Sequence, residues 1–429
     1  MVSIAQLHKI FLSTTGVSTD SRKLFAGCMF FALKGGSFNG NAYAADAVRQ
    51  GAAYAVVDED VSAPAEKVLR VESALKALQE LATFHRRYLG IPIFAITGTN
   101  GKTTTKELIA AVLRQKFNVA ATQGNLNNHI GVPLTLLGMS KEVQVGVVEM
   151  GANHPREIAE LCRIAEPNAG LITNVGKAHL EGFGSFEGVK KTKAELYGYL
   201  AKTGGQVFAL SGSDDLKEML CAHNVQNAIT YGAAEENVRL EPDDNSPFLS
   251  LRMGSGEVWR TKLVGGYNAP NVLAAVAVGR SFKVEEAKIR RAVEEYAPQN
   301  NRSQLVQTAA NTLIMDSYNA NPTSMTAAVT NFANLRAASK LLILGDMLEL
   351  GKDSRAEHQK LVELLQQLQL KCAYLVGENF CKAAEKTAYL TFENSDALCE
   401  HLKKEPPQGS TILVKGSRGI QLERVREWL

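Results

Sequence analysis

Cysteine is scarce in this sequence, and long apolar runs are missing. There are 6 cysteines among 429 residues, and no two stand at C-x-x-C spacing, so we expect neither a zinc site nor a disulfide framework. No run reaches the ~20 apolar residues of a membrane span. The first residues also lack the basic start and apolar stretch of a signal peptide. We therefore expect a cytoplasmic protein that does not insert into a membrane.

An excess of charge of one sign is missing as well. The 47 Lys and Arg residues nearly balance the 44 Asp and Glu residues, which leaves a net charge of +3 and no basic stripe. Nucleic acid is therefore not an expected partner. The apolar share of 45% and the charged share of 21% are typical of a soluble globular protein, and the length suggests about three domains.

The first predicted domain spans residues 1–92. Its longest pattern is a helix over Ser73–Leu89, and Gly90 and Pro92 follow it as helix stop signals. We place the domain boundary there. The other predicted elements are strands at Cys28–Leu33 and Ala53–Val57 and a helix at Asn41–Gln50.

The second predicted domain, residues 93–300, alternates strands with helices, which is typical of a parallel sheet covered by helices on both faces. The stretch Val238–Leu263 departs from this alternation and predicts antiparallel hairpins, with turns at Asp243-Asp244-Asn245 and Gly254-Ser255-Gly256. The predicted strands are Ile93–Thr97, Val145–Val148, Gly170–Asn174 and Gln206–Leu210. The predicted helices are Lys102–Gln115, Pro155–Ala165 and Phe186–Leu200, with two more from Asn271 and from Glu285.

The third predicted domain, residues 301–429, is again α/β and Rossmann-like in outline. It lacks a G-x-G-x-x-G fingerprint, so we do not infer a dinucleotide. The predicted strands are Thr312–Met315, Leu341–Leu344, Ala373–Val376 and Thr411–Val414, and the predicted helices are Ser324–Leu335, Arg355–Leu368 and Ala397–Lys403.

A glycine- and threonine-rich loop joins the first strand of the second domain to its first helix. Small residues let backbone N–H groups close around phosphate oxygens, and the helix N-terminus favours an anion. Lys102 would reach the β- and γ-phosphates, and the Thr103 hydroxyl would hold Mg²⁺. The loop is a shortened G-x-x-G-K-T, with Ile96 where the standard pattern has glycine. The predicted nucleotide-binding residues of this loop are Gly98, Thr99, Asn100, Gly101, Lys102, Thr103 and Thr104.

Two further polar residues fall at or beyond the carboxyl ends of predicted strands, where ligands gather in open α/β sheets. Glu149 could coordinate Mg²⁺ beside the phosphate loop, or it could be an ordinary exposed acid at the end of a strand. His179 could bind a metal or orient a phosphate, although a lone histidine is more often structural. The lysines at 190, 191 and 193 indicate, from the pattern alone, the solvated face of a helix.

These residues resemble the Mur ligases, and the resemblance covers the whole chain. Among the members of that family, the Asn-Leu-Asn-Asn, Tyr-Asn-Ala-Asn-Pro and Gly-Asp-Met-Leu-Glu-Leu-Gly strings are most similar to those that add D-alanyl-D-alanine. The motifs that carry the resemblance are Asp20–Arg22, Thr97–Glu107, Gly124–Leu134, Glu149–Ala152, Asn174–Ser185, Asp316–Pro322, Leu344–Gly351 and Lys415–Gly419.

The resemblance implies ATP-dependent amide-bond formation in bacterial cell-wall synthesis. A UDP-N-acetylmuramoyl-tripeptide would be activated as an acyl phosphate and joined to D-alanyl-D-alanine, with ATP and two Mg²⁺ ions as cofactors. The catalytic residues of this chain would be Lys102, His179 and Lys193. Thr103, Glu149, His179 and Lys193 would lie at the metal positions, with Lys193 as a carbamylated lysine and Lys191 as a rival candidate. Positions bordering the nucleotide would be Asn268, Asn271, Arg302, Asp316, Asn319 and Asn321.

The resemblance also implies a fold and a division of labour. It gives an N-terminal α/β domain that binds the UDP sugar, a central P-loop parallel-sheet ATPase domain, and a C-terminal Rossmann-like α/β domain that closes onto the nucleotide. We expect a monomer. The chain departs from the family at Phe38–Asn41, often Phe-Asp-Gly-His, and at Tyr267-Asn268, often His-Asn. Substrate contacts are expected from Ser21 and Arg22, from the Lys34–Asn41 loop, and from Asn125, Asn127 and Asn128.

Two other hypotheses remain at this stage. A related ligase that adds another amino acid, such as the preceding Mur enzyme or a folylpolyglutamate synthetase, would share the phosphate chemistry. A nucleotide-operated switch or binding module would bind ATP without forming an amide. The sequence leaves open whether the third residue of the acceptor peptide is diaminopimelate or lysine.

Overall fold

The computed structural model describes residues 1–241, 246–299 and 301–429. The first sheet is parallel and four-stranded, in the order β1-β2-β3-β4. Its strands are nearly all apolar because helices cover them, as in other parallel sheets. Its strands are β1 (Val17–Ser18), β2 (Met29–Phe31), β3 (Tyr54–Val57) and β4 (Val68–Arg70), and its helices are α1 (Ile4–Phe11), α2 (Ala44–Arg49) and α3 (Ala74–Leu89).

Helix α3 ends where the sequence predicts it to end. Ser73 caps its first turn by accepting a hydrogen bond from Lys76 N, and Gly90 follows it in the left-handed conformation, with φ of 65°. Helix α3 packs on α1, and two helices of the central region, Gly131–Leu137 and Glu157–Ala165, contact it as well. A single apolar core therefore continues from the first sheet into the central region past the predicted boundary at Gly90.

The central sheet has six parallel strands in the order β10-β9-β8-β5-β7-β6. Strand β5 lies in its middle, between β8 and β7, so residues that follow these three strands meet at one edge. The strands are β5 (Ile93–Thr97), β6 (Val119–Ala121), β7 (Val145–Glu149), β8 (Ala169–Ile172), β9 (Gln206–Leu210) and β10 (Ile229–Tyr231). The helices are α4 (Lys102–Leu113), α5 (Gly131–Leu137), α6 (Glu157–Ala165), α7 (Leu180–Phe183), α8 (Phe186–Thr203) and α9 (Asp214–Ala222).

A small antiparallel sheet follows, which confirms the predicted hairpins. It contains β11 (Arg239–Leu240), β12 (Phe248–Arg252) and β13 (Val258–Val264) in sequential order. The predicted turn at 254–256 is present, with Gly256 N donating to Met253 O at 2.8 Å. The other predicted turn, 243–245, lies outside the described residues. Two helices complete this region, α10 (Ala269–Ser281) and α11 (Glu286–Glu295), and α10 packs on α4.

The third sheet has six strands in the order β14-β15-β19-β16-β17-β18, and β14 runs antiparallel to the others. The α/β fold class is thus confirmed, with a mixed rather than purely parallel C-terminal sheet. Among the described residues, no helix is long and apolar enough to cross a membrane. The strands are β14 (Gln304–Gln307), β15 (Thr312–Asp316), β16 (Lys340–Gly345), β17 (Ala373–Val376), β18 (Leu390–Phe392) and β19 (Thr411–Lys415). The helices are α12 (Pro322–Asn334), α13 (Ser354–Gln367), α14 (Glu378–Ala383) and α15 (Ser395–Lys404).

Candidate active site

The phosphate loop turns between β5 and α4, and two glycines make the turn possible. Gly98 has φ of 140° and Gly101 has φ of 78°, which are values that L side chains rarely adopt. A Cβ at Gly98 would also stand 2.0 Å from the Thr173 hydroxyl oxygen, and one at Gly101 would stand 2.7 Å from Asn271 Oδ1. Both positions therefore require glycine for conformation and for space.

The loop is tied to the segment that follows β8. Thr99 N donates to Asn174 O at 3.0 Å, and Asn100 N donates to Asn174 Oδ1 at 2.9 Å. The Thr173 hydroxyl and the Asn174 side-chain amide both donate to Asn100 O, at 2.6 and 3.0 Å. These bonds fix the outer half of the loop. The first N–H groups of α4 have no helical carbonyl behind them and are the donors left for an anion.

Lys102, the first residue of α4, folds back over the loop. Its ammonium donates to Gly98 O at 2.8 Å and to Thr99 O at 3.0 Å. Burial lowers the pKa of Lys102, although Glu149 favours its charged form. A cation held by neutral carbonyls in this way is poised to exchange them for phosphate oxygens.

Glu149, the last residue of β7, is 2% exposed, so it is not an ordinary solvated acid. Its two carboxylate oxygens accept separate hydrogen bonds, one from the Thr103 hydroxyl at 2.9 Å and one from the Asn127 side-chain amide at 2.8 Å. Its backbone N–H donates to the Thr122 hydroxyl at 3.0 Å. Thr103 and Glu149 therefore adjoin, as a shared Mg²⁺ site requires.

His179 lies just before α7, in the left-handed conformation with φ of 49°. Its Nδ1 contacts the carboxylate of Glu349, which the third sheet supplies from the loop after β16. Burial lowers the pKa of His179; the charge of Glu349 opposes this, while Lys102 and Lys193 add to it. The three predicted catalytic residues thus influence one another electrostatically.

Lys193 is buried on α8, contrary to the solvated face that the pattern alone indicates. It is 3% exposed, and its ammonium lies 5.6 Å from the centre of the Phe183 ring. Burial lowers the pKa of Lys193 to about 7, with a further contribution from Lys102. Lys190 is 8% exposed and forms ion pairs with Asp215 and Glu218, at 3.0 and 2.5 Å. Lys191 is exposed.

Two predicted nucleotide positions form a chain of hydrogen bonds below the phosphate loop. The Asn271 amide nitrogen donates to Asn268 Oδ1 at 2.8 Å, and Asn271 Oδ1 accepts from the Thr105 hydroxyl at 3.1 Å. Asn268 in turn donates to Val264 O at 2.9 Å. Both asparagines are largely buried, and both line the cavity of the site.

The third domain supplies the opposite wall. The guanidinium of Arg302 stacks 3.6 Å above the ring of Tyr318. Asp316 forms an ion pair of 2.6 Å with Lys415, whose ammonium also donates to Asn319 O at 3.3 Å.

Asn321 caps α12 and reaches across to the phosphate loop. Its side-chain oxygen accepts from Ser324 N at 2.9 Å, as the cap of that helix. Its amide nitrogen donates to Asn100 Oδ1 at 2.7 Å. One side chain therefore connects the third domain to the residues that would hold the triphosphate.

Most of the predicted site residues line one cavity of about 790 Å³ between the central and third regions. Ser21 and Arg22 do not line it. The Arg22 side chain is 86% exposed and paired with Asp20 at 2.9 Å. The predicted residues that line the cavity are Gly98 to Thr104, Asn125, Asn127, Asn128, Glu149, His179, Lys193, Asn268, Asn271, Arg302, Asp316, Asn319 and Asn321.

Two of the residues assigned to substrate have local partners. Asn127 holds Glu149, as described above, and Asn128 Oδ1 accepts from Gly131 N at 2.8 Å at the start of α5. Sequence reasoning gave no role to Asn174, Glu349, Lys415 or Arg418, which line the same cavity. Each lies in a motif that carried the family resemblance, and that membership was the available signal.

The donor set suits Mg²⁺ better than a metal held by protein alone. Among the described residues, no group of three or more His, Cys, Asp or Glu side chains could hold a metal. Mg²⁺ commonly binds through one or two carboxylates plus substrate phosphates and water. The adjoining Thr103 and Glu149 beside the phosphate loop fit that mode of binding.

Comparison with known proteins identifies the class to which this fold and site belong. Residues 13–86 match the Mur ligase family catalytic domain, residues 96–279 the Mur ligase middle domain, and residues 301–418 the Mur ligase glutamate ligase domain. The chain belongs to the Mur ligase family of ATP-dependent, ADP-forming ligases, which confirms the resemblance.

The similarity narrows further to one kind of Mur ligase. The UDP-N-acetylmuramoyl-tripeptide–D-alanyl-D-alanine ligase of Escherichia coli is 35% identical over 434 residues, which cover 96% of this chain and 93% of the relative. The crystal structure of MurF from Acinetobacter baumannii superposes with a TM-score of 0.86 at 30% identity, covering 98% and 97% of the two chains. MurF ligase from Thermotoga maritima in complex with ADP gives a TM-score of 0.84 at 26% identity and 97% coverage of each.

Proposed function

We propose that this chain joins D-alanyl-D-alanine to a UDP-N-acetylmuramoyl-tripeptide, with conversion of ATP to ADP and phosphate, in bacterial cell-wall synthesis. The observation that carries the proposal is one cavity that combines the phosphate loop, Glu149, His179 and Lys193 with a wall from the third domain. The names of the full-length relatives support the choice of dipeptide over another amino acid.

The proposed reaction has two steps. A carboxylate oxygen of the tripeptide attacks the γ-phosphorus of ATP, the bond from that phosphorus to the bridging oxygen breaks, and ADP leaves. The dipeptide amine then attacks the acyl carbon, loses a proton, and expels inorganic phosphate. Phosphorylation is needed because a free carboxylate has no good leaving group.

The chain's own groups would position and stabilise the transferring phosphoryl group. Lys102 would turn from the Gly98 and Thr99 carbonyls to the β- and γ-phosphates, while the first N–H groups of α4 bind the same oxygens. His179 would orient the γ-phosphate from the opposite side. Mg²⁺ at Thr103 and Glu149, with a second ion towards His179 and Lys193, would neutralise charge on that group.

The carbamate at Lys193 is the finer part of the proposal. Only a neutral amine reacts with CO₂, and burial with a pKa of about 7 makes a large neutral fraction available near neutral pH. A carbamate would turn this buried cation into a carboxylate-like ligand. Lys191, the rival candidate, is exposed and so lacks that environment. Burial therefore favours Lys193.

UDP-sugar binding is proposed for the first domain, residues 1–92, with residues 93–300 and 301–429 as the other two domains. Lys34 of the Lys34–Asn41 loop forms ion pairs with Asp58 and Glu59, at 3.0 and 2.8 Å. Asn41 donates to Asp58 Oδ1 at 2.8 Å. This network holds the loop that departs from the family at Phe38–Asn41. Ser21 and Arg22 are the other polar candidates of this domain. We propose that the ligase acts as a monomer.

The decisive experiment is phosphate release from ATP with the UDP-muramoyl-tripeptide, measured with and without D-alanyl-D-alanine and followed by mass analysis. We expect release that depends on the dipeptide and a product heavier by one dipeptide. Stimulation by a single amino acid instead would favour a related ligase. ATP binding with no amide product under any condition would favour the switch hypothesis.

A further inference from the structure

Lys106, one turn beyond the phosphate loop on α4, is a buried cation that does not line the cavity. It is 3% exposed, and its ammonium donates to the backbone oxygen of Thr122 at 2.7 Å. The Glu107 carboxylate lies 3.8 Å away and is itself bound by the Tyr296 hydroxyl at 2.6 Å. The closest described partner of the Lys106 ammonium is thus the neutral Thr122 carbonyl.

Such a lysine is a poor choice for stability alone. Removing an ammonium from water is costly, and the carbonyl hydrogen bond together with the charges of Glu149 and Glu107 offsets only part of that cost, since burial still lowers the pKa of Lys106. An unbranched apolar side chain of similar length would fill the same space without the cost. The position of this charge therefore calls for another explanation.

Thr122 connects Lys106 to the metal position. It follows β6, and its N–H donates to Val147 O of the neighbouring strand at 3.0 Å. Its hydroxyl accepts the backbone N–H of Glu149 at 3.0 Å. Lys106 therefore binds the backbone oxygen of Thr122, and the Thr122 hydroxyl in turn binds the backbone N–H of Glu149. The Glu149 carboxylate accepts the hydrogen bond from Thr103.

We propose that Lys106 is a positioning residue for Mg²⁺–nucleotide binding, acting through Thr122 on Glu149. Its ammonium fixes Thr122 and places a positive charge behind the Glu149 carboxylate, so that the carboxylate keeps its place beside Thr103 before Mg²⁺ arrives. The inference rests on the proposed ATP-dependent function of this cavity. It adds a residue that touches neither nucleotide nor metal.

Lys106→Met tests the proposal because it keeps the length of the side chain and removes the charge. We expect Mg²⁺-dependent ADP binding, measured by calorimetry, to weaken about tenfold, as is usual when a group supporting a metal ligand is lost. Binding of ADP in EDTA should stay close to that of the unchanged protein. The melting temperature should stay the same or rise, an outcome that a merely structural role does not give.

Lys116→Met is the matched control. Lys116 follows α4, and its ammonium also donates to backbone oxygens, those of Phe282 and Lys283, but it is exposed and away from the cavity. It should leave the Mg²⁺ dependence unchanged. Thr122→Val should weaken Mg²⁺-dependent ADP binding as Lys106→Met does. Thr122→Ser, which keeps the hydroxyl, should retain most of that binding.

Unchanged Mg²⁺-dependent ADP binding in Lys106→Met, or a fall in melting temperature with intact Mg²⁺ dependence, would overturn the proposal. If Lys106→Met does not fold, Thr122→Val decides in its place by the same measurement. Calorimetry needs neither the tripeptide nor the dipeptide. Failure of the proposed ligase reaction would therefore show as missing amide product, separately from failure of the Lys106 assignment.

Discussion

The two walls of the cavity are built in different ways. On the central wall, Thr103, Glu149 and Lys193 are 5%, 2% and 3% exposed, and the first two hold each other. On the third-domain wall, the Glu349 side chain is 56% exposed, and its described ion pair reaches across to His179. The central groups are thus in place within their own domain, whereas the third-domain groups complete the site only while the domains are in contact.

This difference suggests that the central wall carries the phosphoryl-transfer groups and that the third domain controls when the site is complete. Groups that need little reorganisation stabilise a transferring phosphoryl group most effectively. Thr103 and Glu149 already adjoin, and Lys102 needs only to exchange its two carbonyl partners for phosphate oxygens. Part of the contact between the third and central domains consists of polar pairs, Asn100 with Asn321 and Lys177 with Glu357, together with the His179–Glu349 contact. Val264 of the central domain also packs into the apolar core of the third. Polar contacts of this kind can open and close, so domain movement can gate the reaction.

Lys102→Ala is the strongest test of the central wall. It removes the cation nearest the predicted phosphates, so we expect turnover to fall about a thousandfold or more. Phosphate release measures this directly. Binding of the UDP substrate should stay within about twofold, because we propose that the first domain carries it. Lys116→Ala, beyond the far end of the same helix, should behave like the unchanged protein, and comparable activity of the two variants would remove the phosphate-loop assignment.

Lys193→Ala tests the buried lysine of the same wall. We expect a loss of about a hundredfold in phosphate release, with partial recovery on adding acetate or another short carboxylic acid that can refill the metal position. Lys191→Ala, at the exposed rival position, is the matched control and should keep its activity. Full activity of Lys193→Ala without any added acid would refute the carbamate. Loss of phosphate release in Lys191→Ala would instead assign the carbamate to Lys191.

The pH dependence of the unchanged protein sharpens the same point. Burial lowers the pKa of Lys193 to about 7, so the neutral amine that the proposed carbamate requires predominates above that pH and declines below it. At limiting CO₂ we expect phosphate release to fall as the pH drops below about 7, and added bicarbonate to oppose the fall. Lys193→Ala rescued by acetate should show no response to bicarbonate. A bicarbonate response in that variant would indicate that a group other than Lys193 reacts with CO₂.

Asn321→Ser tests the contact between the two walls. Serine keeps the helix cap but is too short to reach Asn100, so both hydrogen bonds between the Asn100 and Asn321 side chains are lost while α12 stays capped. We expect kcat/KM for ATP to fall about fivefold and the melting temperature to change little. Thr326→Ala, exposed on the same helix, should change neither. Equal kcat/KM in both variants would show that the third domain docks without this pair.

Sequence reasoning succeeded where a local pattern and a buried strand coincide. Ile93–Thr97 and its loop were located because a continuous apolar strand runs into a glycine-rich turn, and the structure has the strand at those bounds. Short elements were missed, among them β6, α9 and β14, because their 3, 9 and 4 residues carry too little periodicity. The antiparallel course of β14 depends on pairing with β15, which no local signal encodes.

The site shows the same division. The phosphate loop follows from residue types alone, but burial of Lys193 does not, because helix α8 presents Lys190, Lys191 and Lys193 in one short run. Which of these faces the cavity depends on how α8 packs against α6 and β8. Glu349 meets His179 across a distance of 170 positions in the chain, which only the assembled domains reveal.

Arg22→Ala extends the comparison to the first domain and should have the smallest effect. Arg22 lies outside the cavity, exposed and paired with Asp20, so it must leave that partner to bind a UDP phosphate. We expect KM for the UDP substrate to rise about threefold, with kcat and KM for ATP unchanged, because an exposed ion pair contributes little net energy. Lys23→Ala, the exposed neighbour, is the control. Equal KM values for Arg22→Ala and Lys23→Ala would remove Arg22 from the UDP site. A fall in kcat of Arg22→Ala would instead show that the first domain affects the chemical step.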